Sequence, residues 1–141
     1  MRSSIGWRPC ARFYTRRVPE TESNDLYSLY RRGMALLESG DFAQAAIPLQ
    51  KAARMAPEKA SIREALGRAY FRSSRYDAAA AEFEAILKSH PVDDYAHFCL
   101  GRALTKCGER ERARHHLALA SNLRPDRNDY RLYRDRLRAA S

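Results

Sequence analysis

Four histidines, at 90, 97, 115 and 116, and three cysteines, at 10, 99 and 107, are the side chains best suited to bind a metal or attack a substrate. Their spacing works against most such uses. His115 and His116 are adjacent, and adjacent side chains on a helix point about 100° apart, so they do not converge on one ion. His97 and Cys99 have the same defect, and His90 precedes Pro91 at an expected helix end. Tetrahedral zinc needs four converging ligands, usually supplied by CxxC or HxxxH pairs. No such pair is present. Cys107 falls in an expected helix-ending turn, where a thiol can be reactive, although an inert one is the plainer reading. There is no phosphate-binding glycine loop, no GxSxG and no HExxH. The expectation is a protein without metal, cofactor or catalysis.

Composition bounds the remaining classes. The chain has 141 residues, 45% hydrophobic and 30% charged, which suits one soluble domain. Apolar runs such as Ala78–Ala81 are a few residues long, far short of the roughly 20 that span a bilayer. An odd cysteine count without a secretory signal fits a reducing compartment, so the expected location is cytoplasmic. The net charge of +9 is spread along the chain rather than gathered in one block.

The organising feature is a repeat. RRGMAL at 31–36, ALGRAY at 65–70 and CLGRAL at 99–104 lie 34 residues apart. Gly33, Gly67 and Gly101 share this register, as do Ala45, Ala79 and Ala113, and Pro57, Pro91 and Pro125. A 34-residue period marks a stacked two-helix unit. In these residues the chain resembles the tetratricopeptide repeat family. The resemblance implies an all-α, right-handed superhelix of three antiparallel helix pairs with a terminal capping helix. The units would be 26–59, 60–93 and 94–127 within a 25–127 array, followed by the cap at 128–140.

The elements follow from local physics. First helices are expected at Leu26–Glu38, Ser61–Ser73 and Asp94–Lys106, each followed by a short turn and a second helix. A glycine inside a helix costs about 1 kcal/mol relative to alanine. Its threefold recurrence predicts close helix approach, with Ala45, Ala79 and Ala113 as the small surfaces opposite. The recurrent prolines stop the second helices. Pro48 lies inside one, and a kink near Gln44–Pro48 is expected. The register position of Leu29 becomes Arg63 and then His97, a departure from the family's large apolar residue. Tyr130, Tyr133 and Leu137 fall on one stripe of a last helix, with Asn128 as its expected cap. That helix would cover the apolar end of the third unit near Leu117 and Leu123. Residues 1–24 carry five arginines and no acid before Glu20. They read as a disordered tail, with an organellar targeting peptide or a nucleic-acid-binding arm as alternatives.

The resemblance implies that the first helices line a concave groove. Inward-facing residues would be Tyr27, Tyr30, Met34 and Leu37, then Glu64, Arg68, Phe71 and Arg72, then Tyr95, Phe98, Arg102 and Lys106. Aromatic rings and arginine dominate binding energy at interfaces. The expected function is therefore a non-catalytic adaptor for a protein or peptide, with a partner that is acidic and carries apolar side chains. Co-chaperone members of the family clamp a C-terminal carboxylate with lysine, arginine and asparagine. Tyr30, Met34, Ala65, Tyr95 and Cys99 occupy those places here and cannot supply that clamp. A nucleic-acid-associated protein using Arg110, Arg112, Arg114, Arg131, Arg134, Arg136 and Arg138 is the alternative. Against it, Glu109, Glu111, Asp129 and Asp135 interleave with those arginines.

Overall fold

The computed structural model describes residues 24–140, and the expectations placed on the N-terminal segment lie outside the described residues. Among the described residues seven α-helices follow one another: α1 (Leu26–Ser39), α2 (Phe42–Met55), α3 (Ala60–Arg72), α4 (Tyr76–Ser89), α5 (Asp94–Cys107), α6 (Arg110–Leu123) and α7 (Asn128–Ala139). The first helices match the periodicity to within one residue at each end. Asp25 caps α1 by accepting from the Ser28 amide at 2.8 Å, and Asp93 caps α5 by accepting from the Ala96 amide at 3.0 Å. The second helices end at Met55, Ser89 and Leu123, two residues before each recurrent proline.

Each helix packs chiefly on its neighbours in the chain, as in a stacked array. The chain is an all-α superhelix of three helix pairs and a last helix. One apolar cluster runs through it, with Leu29, Leu49, Leu66, Phe83, Leu100 and Leu117 essentially inaccessible to solvent. Pro48 is buried, and α2 continues through it without a break.

The recurrent glycines sit where helices meet, but their partners differ from the expected alanines. A Cβ on Gly33 would lie 2.4 Å from Leu49, one on Gly67 2.7 Å from Phe83, and one on Gly101 2.7 Å from Leu117. The alanines lie one helical turn earlier on the same buried face. The large side chain fills the notch that each glycine leaves. The turns between paired helices carry a second glycine requirement. Gly40 and Gly108 close α1 and α5 at φ 89° and 84°. The matching residue of the middle unit is Ser74, held at φ 66°. A side chain in that left-handed region costs roughly 1–2 kcal/mol.

The Leu29–Arg63–His97 position has partners 19 residues on. Arg63 pairs with Glu82 at 2.7 Å and donates to the Pro57 carbonyl at 2.7 Å. His97 is 2.9 Å from His116, Nδ1 to Nδ1, and its Nε2 is 2.8 Å from the Pro91 carbonyl. The first unit places Leu29 and Pro48 in that register, both buried. One structural position thus carries an apolar, an ionic and an imidazole pair in successive units.

In α7 the expected stripe is observed. Tyr130 and Leu137 are buried and Tyr133 half-buried. Tyr130 stacks on Phe98 at 4.6 Å, and its hydroxyl donates to Asp94 at 2.6 Å. Two details differ from expectation. Arg127, not Asn128, precedes the helix as its cap residue and makes no side-chain cap bond, while Asn128 accepts from Arg131. Leu123 stays 38% exposed, while Leu117 is buried.

Candidate binding cleft

A cleft of about 540 Å³ opens on the face shared by α1, α3 and α5. Its walls are Leu37 and Glu38 from α1, Arg68, Phe71 and Arg72 from α3, and Tyr95, Cys99 and Arg102 from α5. Phe42 and Phe83, from the second helices, complete it. The spacing that creates this wall is helical. Arg68, Phe71 and Arg72 stand three and four residues apart, as do Tyr95, Cys99 and Arg102, so each trio shares one face.

Six of the twelve expected groove residues therefore line one cavity: Leu37, Arg68, Phe71, Arg72, Tyr95 and Arg102. The others are placed differently. Tyr27 is 68% exposed on the outer part of α1, with Arg31 over its ring. Tyr30 and Met34 are half-buried against the core, and Glu64 is half-buried near Arg68. Phe98 is buried beneath Tyr130 and Tyr133, and is a core residue rather than an open groove residue. Lys106 lies farther along, in a neighbouring depression. Phe42, Glu38, Phe83 and Cys99 were not in the sequence-based set. Phe42 shares a register with Tyr76 and Arg110, and each of the three borders a surface depression. That recurrence at the start of the second helices was a usable signal.

The chemistry of the wall is cationic and aromatic. Arg72 lies 4.3 Å above the Phe42 ring, and Arg102 lies 4.7 Å from the Phe71 ring. Such contacts orient a guanidinium without neutralising it. None of Arg68, Arg72 and Arg102 makes an ion pair among the described residues, whereas Arg63, Arg112, Arg114, Arg124, Arg127, Arg134 and Arg138 all do. Burial pushes the Cys99 thiol up to about 12, and burial, then the adjacent Cys99, raises the Tyr95 hydroxyl as well. Both stay neutral at physiological pH and add no negative charge. Burial also raises the Glu64 carboxyl, with Arg68 opposing it. Glu38 is the acid on the cleft lining.

The groups with potential for other chemistry are arranged for structure. His97 and His116 meet across α5 and α6, with His115 edge-on to His116 at 5.1 Å. No third ligand joins them: among the described residues no group of three metal-binding side chains converges. Burial, then His97 and His115, lowers the His116 pKa to about 4. Cys107 donates to Asp77 at 3.1 Å, and burial and that carboxylate push its thiol up to about 11, away from the reactive thiolate.

Comparison with known proteins places this geometry in a family. The tetratricopeptide repeat model matches residues 30–94 and 64–120, and the chain belongs to that family. Among curated proteins none matches the sequence. Among solved structures, MamA 41-end from Desulfovibrio magneticus RS-1 is 23% identical with a TM-score of 0.81, over 98% of this chain and 82% of that one. The MamA RS-1 ArsTM double mutant is 24% identical with a TM-score of 0.80, over 84% and 67%. The first TPR of Spaghetti (RPAP3), bound to the HSP90 peptide SRMEEVD, is 17% identical with a TM-score of 0.77, over 85% and 95%. At these identities the likeness is one of fold.

Proposed function

We propose that this protein is a non-catalytic adaptor that holds an acidic peptide segment with bulky apolar side chains in the cleft between α1, α3 and α5. The observation that carries this reading is the set Arg68, Arg72 and Arg102, which make no ion pair among the described residues and are set among Phe42, Phe71 and Tyr95. The cations attract and orient a carboxylate, while the rings retain an apolar neighbour once water leaves. A fold neighbour bound to a peptide containing two glutamates and an aspartate supports the class of ligand. The absence of the lysine and asparagine clamp at Tyr30, Met34, Ala65, Tyr95 and Cys99 argues that the carboxylates are those of side chains. Outer arginines tied to acids favour this reading over one based on nucleic acid.

Selection of random phage-displayed peptides on the wild-type protein tests it. Enriched sequences should combine Asp or Glu with Leu, Phe or Tyr. Selection on a folded Arg68→Glu, Arg72→Glu variant should lose them. Enrichment of basic peptides, or of the same acidic ones on both proteins, would place the ligand elsewhere.

A further inference from the structure

A second compartment, of about 390 Å³, adjoins the cleft and shares Phe71 and Arg102 with it. The partition is the Arg102 guanidinium, 4.7 Å from the Phe71 ring on one helix and 4.7 Å from the Tyr133 ring on α7. Beyond it stand Lys106 and Arg136, over a floor that includes Leu117 and Leu137. Among the described residues no carboxylate lines this compartment. Lys106 and Arg136 make no ion pair among the described residues; their charges lie over the rings of Tyr76, at 5.9 Å, and Tyr133, at 5.4 Å. The same chemistry as in the first cleft, cations held on rings above an apolar floor, thus recurs one step along the array.

We infer that α7 is part of the recognition surface as well as a cap: the second compartment receives a second acidic and apolar anchor of the same partner, which is therefore a bipartite peptide. This rests on the reading of the first cleft. The charge match carries the occupant, because a compartment lined by Lys106 and Arg136 concentrates acidic groups. Contiguity carries the linkage. An extended peptide advances about 3.3 Å per residue, so compartments that share two side chains lie within a few residues of each other on one strand of ligand. Once the first anchor is seated, the second binds at high effective concentration.

Two fluorescein-labelled peptides test the inference by anisotropy. One carries a single Asp-Leu-Glu-Phe block, the other two such blocks joined by a short glycine spacer. The wild-type protein should bind the two-block peptide at least about tenfold more tightly, well above the roughly twofold gain from simple multiplicity. The Lys106→Glu, Arg136→Glu variant changes only exposed charges. It should lose that gain and keep its affinity for the one-block peptide within about twofold. The Arg68→Glu, Arg72→Glu variant should weaken both. Equal affinities for the two peptides, or a gain that survives Lys106→Glu, Arg136→Glu, would overturn the second anchor and leave the first cleft standing. Failure of the wild-type protein to bind either peptide would overturn both.

Discussion

The arginines of the α1–α3–α5 face and those of α6, α7 and the loop between them are the same residue put to two uses. On α6 and in the loop before α7, several guanidinium groups end on nearby carboxylates: Arg112 on Glu84 and Glu109, Arg124 on Asp126, Arg127 on Asp129. In the cleft Arg72 and Arg102 end on aromatic rings. The first arrangement satisfies charge within the chain, and the second leaves it available to a partner. Net charge alone would have treated both regions alike. What separates them is whether an acid lies within reach, and that depends on the fold rather than on the count of basic residues.

The most damaging way to break this contrast is to remove the cleft. Gly67→Leu drives a side chain into Phe83, which itself lines the cavity. Overpacking there should destabilise the protein by about 3 kcal/mol, measured by urea denaturation, and abolish peptide binding with it. A neutral result would show that the helices can part without cost.

Charge reversal then separates the two regions directly. Arg68→Glu with Arg72→Glu should weaken binding of a selected acidic peptide at least about tenfold, or about 1.4 kcal/mol, with only a small fall in the thermal midpoint. Arg112→Ala should leave affinity alone and cost at most the low end of the about 0–1 kcal/mol typical of exposed pairs. Equal loss of affinity in both variants would erase the distinction.

A smaller effect sharpens the account of the scaffold. Ser74 holds the left-handed conformation that Gly40 and Gly108 adopt in the flanking units. Ser74→Gly should raise stability by about 0.5–1 kcal/mol in chemical denaturation, the relief of strain being partly offset by the greater freedom of the unfolded chain.

A separate expectation concerns pH. Unfolded His116 takes up its proton near 6.5, whereas in the fold burial and the neighbouring His97 and His115 delay it to about 4. Between these values the unfolded chain binds the extra proton, so this group's contribution to stability is lost as pH falls through that window. His116→Gln, which cannot titrate there, should show a shallower loss of stability from pH 6.5 to 4. An identical slope would mean that His116 is protonated in the folded protein at its ordinary value.

Much of this architecture was legible because the 34-residue register links residues that must do the same job. Glycine, alanine and proline each repeat for a steric reason, and steric reasons survive changes in neighbouring residues. The site was less legible. Phe98 has the spacing of an inward-facing residue, yet Tyr130 and Tyr133 of α7 pack on it; the repeat calls for a terminal cover but does not place it there. Phe42 opens a second helix, whereas the groove spacing is carried by the first helices. The recurrent glycines announce notches, but not that the large side chains Leu49, Phe83 and Leu117 fill them, because those three positions do not share one residue type. The 19-residue pairs, such as Arg63 with Glu82, join different helices and change chemistry in each unit, so residue identity hides them.

The central claim is that the cleft arginines, and not the outer ones, meet the partner. Arginine side-chain Nε–H signals in nitrogen-15 NMR spectra report on each guanidinium separately. Titration with a selected acidic peptide should shift the signals of Arg68, Arg72 and Arg102 while those of Arg112, Arg124 and Arg127 stay in place. Shifts confined to the outer set, or a saturating peptide that moves none of the three cleft signals, would contradict the account.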